Sequence, residues 1–367
     1  MPEKKVCYVS ADNYLDTDTQ IVKHICTSYR FTWFVVFSRT FSGYSQEYIY
    51  KYSKENKINT KTLKLRFRFR NPRIIFQYIN LLKEIKNEKP DIIYINMLGY
   101  PYLFPLILLF IGRKKIIYAI HDFIEHVNVR NRFIMQTYQR FIFNLFMNFH
   151  LYSKEQYSLF NEVYKNKNTF LAPQCLKDFG NSNTHPPKEF INFLFFGIIR
   201  ENKGLEHLIL AANKLASSYK GKFKVSIAGS CDNWGKYSSL IECMDVFELD
   251  IHVIMNEKIP DYFKSAHYLI LPYIDVTQSG VLFIAYNYGT PVIASNHSWF
   301  KNYIKDCENG YLFENGSVES LYKIMEKIIL SKNKEYYSLK SNLTRFINTT
   351  ISHQAIVDEY IKYFNAF

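Results

Sequence analysis

Residues 268–295 read YLILPYIDVTQSGVLFIAYNYGTPVIAS, and the fold turns on how this stretch is parsed. Tyr268–Leu271 is a short apolar run closed by Pro272, the pattern of a strand buried on both faces. A second such run, Val292–Ser295, follows the breaker Gly289-Thr290-Pro291. Between them Thr277-Gln278-Ser279-Gly280 offers small and polar residues at a turn, and 281–288 resume as a helix. Strand, helix and strand in this order make a βαβ unit.

Working outward, the same alternation fills the chain. In the second half, 193–196, 224–228 and 252–255 are further strand candidates, and 205–216, 261–266 and 318–330 are helix candidates. In the first half the strand candidates are 6–10, 33–37, Ile92–Asn96 and Ile116–Ile120. Asn71-Pro72 reads as an N-cap followed by proline at the first helical position. Ile74, Ile75, Tyr78, Ile79, Leu82 and Ile85 then recur at helical spacing, and 101–111 form the next helix candidate. The segment GNSNTHPPKE at 180–189 has the composition of a linker. Two βαβ series joined by a linker predict an α/β protein of two doubly wound, Rossmann-like domains facing a cleft, over 1–180 and 190–345. Ligands of such sheets bind at the carboxyl ends of the strands, which directs attention to the strand-to-helix turns.

The chain has 367 residues, 48% of them hydrophobic, which suits two cores and excludes a disordered chain. Six cysteines are scattered with no CxxC pair, so neither a zinc site nor a disulfide framework is expected, which fits a reducing cytoplasm. The N-terminal stretch lacks the apolar segment of a secretory signal, and the longest apolar run, 102–111, is about half a membrane span. A net charge of +13 suits nucleic acid, an anionic membrane surface or an acidic small molecule, and it also fits the composition an AT-rich genome produces. No nucleic-acid recognition motif is present, so nucleic acid is not an expected partner.

The turn in FFGIIRENKGLEHLI at 195–209 carries chemistry. Gly197 ends a strand, Gly204 opens a helix, and Arg200 and Lys203 sit in the connection. Two cations beside a helix N-terminus suit a diphosphate, because backbone N–H groups and the helix dipole favour an anion there. The plain alternative for this stretch alone is a solvated loop. The turn at Ser279 and Gly280 repeats the same physics from another strand.

Taken in order, FFGIIRENKGLEHLI, VSIAGS (225–230), IPDYFKSAHYLILPY (259–273), TQSGVLFIAYNYGTPVIAS (277–295) and IKDCENGYLF (304–313) resemble the nucleotide-sugar-binding domain of the group-1, family-4 glycosyltransferases, which have the GT-B fold. The first half is similar more loosely, through AIHDFIEH (119–126) and LYSKEQ (151–156). The resemblance implies retaining transfer of a sugar from a nucleotide-diphosphate donor, a UDP-sugar above all, to a glycan or lipid-linked acceptor. It implies no cofactor and no metal. It assigns the diphosphate to Lys203 and, since the family's arginine falls on Ile198, to Arg200 two positions on. It further implies donor contacts at Gly197, Glu257, Ile259, Thr277, Gln278, Ser279, Gly280 and Val281. Two family glutamates fall on Thr277 and Ala285, a variant in which backbone N–H groups would carry most of the donor contact. His121 matches a functional histidine that serves the transferred sugar; its plain alternative is a structural histidine at a strand end, and Asp122 and His126 are left as local structure or acceptor contacts. A last helix at about 350–367 is implied to cross back to the first domain.

In the first domain SADNYLDTDTQIV at 10–22 stands where the family often has a Gly-rich loop. Asp12, Asn13, Asp16 and Asp18 either bind acceptor hydroxyls or cap a helix near Thr19. The stretch LKLRFRFR at 63–70 alternates apolar and basic residues with the period of a strand. With the basic-aromatic stretch at 130–146, it is either a charged edge strand and a core helix, or a surface that docks a peripheral enzyme on the inner, anionic face of the plasma membrane. The competing functions are a nucleotide-sugar epimerase and a non-catalytic nucleotide-sugar binder. Surface-polysaccharide synthesis is what the resemblance implies as the pathway.

Overall fold

The computed structural model describes residues 4–38, 43–68, 71–97, 102–121, 123, 132–332 and 334–367. The chain divides into two units, Met1–Cys175 with His353–Phe367, and Leu176–Ser352. In the first unit the strands β1 (Lys5–Ala11), β2 (Arg30–Phe37), β3 (Thr60–Lys64), β4 (Ile92–Asn96), β5 (Ile116–Ile120), β6 (Asn148–Leu151) and β7 (Asn168–Leu171) form one sheet. Every ladder is parallel and the order is β3-β2-β1-β4-β5-β6-β7. The chain therefore winds one way from β1 and then the other way from β4, which makes the β1/β4 gap a topological switch point. Parallel neighbours need crossovers. Helices α1 (Leu15–Ile25), α2 (Gln46–Glu55), α3 (Ile74–Asn87), α4 (Leu103–Phe110), α5 (Arg132–Leu145) and α6 (Lys154–Val163) supply them. Along β1, Val6 and Tyr8 enter one core while Cys7, Val9 and Ala11 enter the other. Burial on both faces is why this strand reads as a continuous apolar run.

The second unit repeats the plan with β8 (Ile191–Phe196), β9 (Phe223–Ala228), β10 (Phe247–Asp250), β11 (Tyr268–Leu271), β12 (Val292–Ser295) and β13 (Gly310–Phe313). Its parallel order, β10-β9-β8-β11-β12-β13, puts the switch point between β8 and β11. Around it lie α7 (Leu205–Tyr219), α8 (Trp234–Ser238), α9 (Ile259–Ser265), α10 (Gly280–Asn287), α11 (Ser298–Lys301), α12 (Val318–Leu330) and α13 (Tyr336–Thr350). The last helix, α14 (His353–Ala366), belongs to the first unit. Its Ile356, Val357, Tyr360 and Phe364 are buried in the core that also holds Val6, Tyr8 and Trp33. Lys4 Nζ ties its end down by donating to the carbonyls of Phe364 and Asn365 at 3.0 and 2.9 Å.

Four sequence readings need correction or refinement. Residues 252–255 are not a strand: the ladder to β9 is made by Phe247–Asp250 instead, and His252 is exposed with Nδ1 2.6 Å from Asp250 Oδ1. Asn71 does not cap α3, because its side chain accepts from Arg73 N at 3.0 Å in a turn of its own and the helix starts at Ile74. The segment 180–189 has neither helix nor strand, yet Ser182 Oγ donates to Asp261 Oδ1 at 2.6 Å, which fastens it to the second unit. Finally, β3 ends at Lys64. Beyond it Gln77 of α3 takes the place of a strand partner, accepting from Arg66 N and donating to Lys64 O, both at 3.0 Å. The alternation in burial does continue: Leu65 is 5% exposed and Phe67 packs on the same core, while Lys64, Arg66 and Arg68 are exposed. The described apolar side chains of this stretch, Leu63, Leu65 and Phe67, thus pack on the core, Leu63 and Phe67 only in part; Phe69 and Arg70 lie outside the described residues.

Candidate active site

At the switch point of the second unit the backbone comes very close to itself. Gly204 adopts φ +62°, and a Cβ there would sit 2.0 Å from the Pro272 carbonyl oxygen. No L-residue fits, so the turn after β8 lies directly against the end of β11. Gly197, with φ +108°, would place a Cβ 3.3 Å from Val281 Cγ2 and brings the end of β8 up to the start of α10. Asn202 closes the join: its carbonyl accepts from Ile274 N at 2.9 Å.

This geometry delivers the cation. Lys203 Nζ stands 3.7 Å from the centre of the Tyr273 ring, and the Tyr273 hydroxyl is 3.4 Å from Ser279 Oγ. An ammonium on a ring face is held there by the ring quadrupole. Lys203 is thereby parked beside the first turn of α10. Ser279, 2% exposed, is the N-cap of that helix, but its side chain makes no capping hydrogen bond. The opening N–H groups of a helix have no intrahelical acceptor, and with the dipole they favour an anion. Arg200 is exposed at the start of the same connection, and its neighbour Glu201 is engaged by Lys236 at 2.8 Å.

Gly197, Lys203, Ser279, Gly280 and Val281 thus come together, and Thr277 and Gln278 lie on the half-buried approach to α10. Glu257 is exposed on a single turn before α9. Ile259 is buried in the core with Phe196, so its side chain is committed to packing. Ala285 is fully buried in the same core. Sequence reasoning missed Tyr273 and Asn202, because a ring under a lysine and a carbonyl clamp leave no spacing signal.

The first unit handles its switch point differently. The Asp12 carboxylate is buried and accepts from Ser38 N and Oγ, both at 2.9 Å. Asn13 is exposed, and Asp16 is half-buried beside Thr17. None of these side chains caps α1, which begins at Leu15, well before Thr19, with Tyr14 as an N-cap that makes no side-chain capping hydrogen bond. Asp18 is fully buried; its Oδ1 accepts from Tyr8 at 2.8 Å and from Asn96 at 2.7 Å. Loss of hydration pushes its carboxyl up to about 7, against donors that pull it down. Asn96 Oδ1 meets His121 Nε2 at 2.6 Å. The His121 ring lies between Tyr14, 3.8 Å away and nearly parallel at 5°, and Tyr152, at 4.5 Å and 23°. Asp122 and His126 lie outside the described residues. Among the described residues no group of three or more His, Cys, Asp or Glu is placed to hold a metal, and no helix is long and apolar enough to cross a membrane.

Residues 177–345 match the model of the family described as glycosyl transferases group 1. The match takes in nearly the whole of the second unit. No curated protein matches the sequence. Among solved structures the chain is similar to Anabaena HepE in complex with UDP-glucose, with a TM-score of 0.73 at 14% identity, over 99% of this chain and 100% of that one. It is similar to sucrose-phosphate synthase from Thermosynechococcus elongatus, with a TM-score of 0.74 at 13% identity, over 99% and 100%. A TarM variant from S. aureus, in complex with fondaparinux, alpha-GlcNAc-glycerol and UDP, gives 0.69 at 12%, over 99% and 100%. These likenesses show the fold, which is GT-B.

Proposed function

We propose that this glycosyltransferase moves a sugar, with retention of configuration, from a UDP-sugar to a glycan or lipid-linked acceptor during surface-polysaccharide assembly. The observation that carries the reading is Lys203 held on Tyr273 beside the N-terminus of α10, inside the segment that matches the family. The UDP-glucose bound by HepE supports UDP as the nucleotide. In this reading Lys203, Arg200 and the α10 dipole take the charge that builds on the diphosphate as the bond from the sugar's anomeric carbon to its phosphate oxygen breaks. The acceptor oxygen bonds to the same carbon on the same face, and its proton passes to the departing phosphate oxygen. His121 serves a hydroxyl of the transferred sugar. No metal is required, because fixed cations and N–H groups supply the electrostatics. The first step of the test is a screen of nucleotide sugars by calorimetry, followed by acceptor-free hydrolysis with and without EDTA. Loss of turnover in EDTA, or binding of no UDP-sugar, defeats the proposal.

A second reading, a nucleotide-sugar binder without catalysis, is favoured by Thr277 and Ala285 standing where the family has glutamates. Donor binding without hydrolysis or transfer supports it. Peripheral attachment to the inner face of the plasma membrane completes the main reading. Residues 64–168 hold 17 Lys and Arg against 7 Asp and Glu, +10 of the chain's +13. Phe76 on α3 and Leu109 on α4 are 72% and 78% exposed in the same region. Co-sedimentation with anionic but not neutral vesicles, lost at high salt, supports this attachment; equal partitioning to both removes it.

A further inference from the structure

His121 is held by a chain of buried side chains that the reaction as described leaves without a role. Asn96, the last residue of β4, is fully buried. Its amide nitrogen donates to Asp18 Oδ1, so its carbonyl oxygen is the atom that faces His121 Nε2. A carbonyl only accepts, which puts an imidazole proton on Nε2. The amide cannot turn round without losing its place on Asp18. The Tyr8 hydroxyl donates to the same Oδ1. An oxygen that already holds two donors stays unprotonated. A proton on Asp18 therefore goes to Oδ2, which has no hydrogen-bond partner among the described residues, and Asn96 keeps its orientation in either charge state. Tyr14 and Tyr152, stacked on the two faces of the ring, limit its tilt.

We infer that Asn96 is a positioning residue that holds His121 as the Nε2–H tautomer and leaves the lone pair on Nδ1. Asp18 fixes Asn96, and Tyr14 and Tyr152 fix the ring. The consequence for turnover rests on the functional reading of His121 given above; the tautomer does not.

The experiment labels the histidines with nitrogen-15 and records long-range nitrogen–proton correlations at about pH 8, with His121 identified by the signals lost in His121→Gln. The intact protein is expected to show Nε2 protonated and Nδ1 bare. In Asn96→Leu, which stays apolar in a buried place, the two nitrogens should average toward a tautomer mixture. UDP release from UDP-glucose should fall by about tenfold or more, with UDP affinity held within about twofold. Exchanging the pair, Asp18→Asn together with Asn96→Asp, restores an acceptor opposite Nε2 and should restore the single tautomer. His121 protonated on Nδ1 in the intact protein, or an unchanged pattern in a folded Asn96→Leu, overturns the assignment. Should Asn96→Leu fail to fold, the intact spectrum and the exchanged pair decide it. A tautomer that behaves as expected with turnover unmoved upholds the positioning and removes the catalytic reading of His121.

Discussion

The two units share one winding plan and finish their switch points with opposite materials. In the second unit the β8/β11 gap is lined by backbone: Gly197, Gly204 and Gly229 let chains approach so closely that a Cβ on Gly204 or Gly229 would lie 2.0 Å from a carbonyl oxygen. In the first unit the β1/β4 gap carries buried polar side chains, Ser10, Asp18 and Asn96, and no glycine precedes Gly43. Bare backbone with one parked cation suits a diphosphate, which needs N–H groups at short range. A layer of interlocked side chains suits the orientation of a single ring. The contrast teaches that one sheet topology can serve charge recognition or side-chain alignment, according to whether its switch point is emptied or filled.

The strongest way to break the contrast is Gly204→Ala. A methyl 2.0 Å from Pro272 O, on a residue at φ +62°, forces the β8–α7 turn away from β11. The loss should be several kcal/mol of stability, read by denaturant titration, with UDP binding abolished. A variant of native stability and affinity would mean that the close approach is dispensable.

Next comes Asp18→Asn. An unfolded chain releases the Asp18 proton near 3.8, whereas the folded first unit keeps it to about 7. Between those values the folded state holds the extra proton, so stability falls as pH rises through the window and levels off above it. The group accounts for on the order of 4 kcal/mol of decline across that range. Asp18→Asn should flatten the slope of melting temperature against pH; parallel slopes in the two proteins would refute the buried titration.

The third test is Lys203→Ala, with Arg200→Ala beside it. Each lost charge-assisted contact to the diphosphate should weaken UDP by about 1.5–3 kcal/mol, roughly ten- to hundredfold in Kd. Unchanged affinity in both would empty the site of its cations. The smallest expected effect separates Tyr273→Phe from Tyr273→Leu. The ring face that holds Lys203 survives in the first and is lost in the second, a difference of about 1 kcal/mol in UDP affinity. Equal losses would place the effect in packing.

The legibility of each region in the sequence follows from the same difference. Backbone-built sites leave punctuation: Gly197, Gly204 and Gly280 stand at the ends of apolar runs, and the cations between them are countable. The strands were legible because burial on both faces removes polar residues, as in Ile92–Asn96 and Val292–Ser295. Side-chain-built sites leave none. Asp18 sits among Asp12 and Asp16 with nothing in its spacing to mark it as the buried one. Asn96 lies 78 positions from Asp18 and 25 from His121, so only the sheet brings the three together. The misplaced strand at 252–255 has a related cause: apolar character was read without knowing that β9 offers a ladder only as far as Ala228, opposite Asp250.

The chain leaves the first unit after Cys175 and returns to it at His353, with the second unit spliced between. On the ribosome this sets an order of completion. The second unit is one continuous piece and can close as soon as its last residue emerges. The first unit, although begun earlier, must wait for residues 353–367, because Ile356, Val357, Tyr360 and Phe364 fill the core beneath Tyr8 and Trp33. A stop just before His353 therefore injures the unit begun first and spares the one that follows it, and a fragment ending at Cys175 would lack α14.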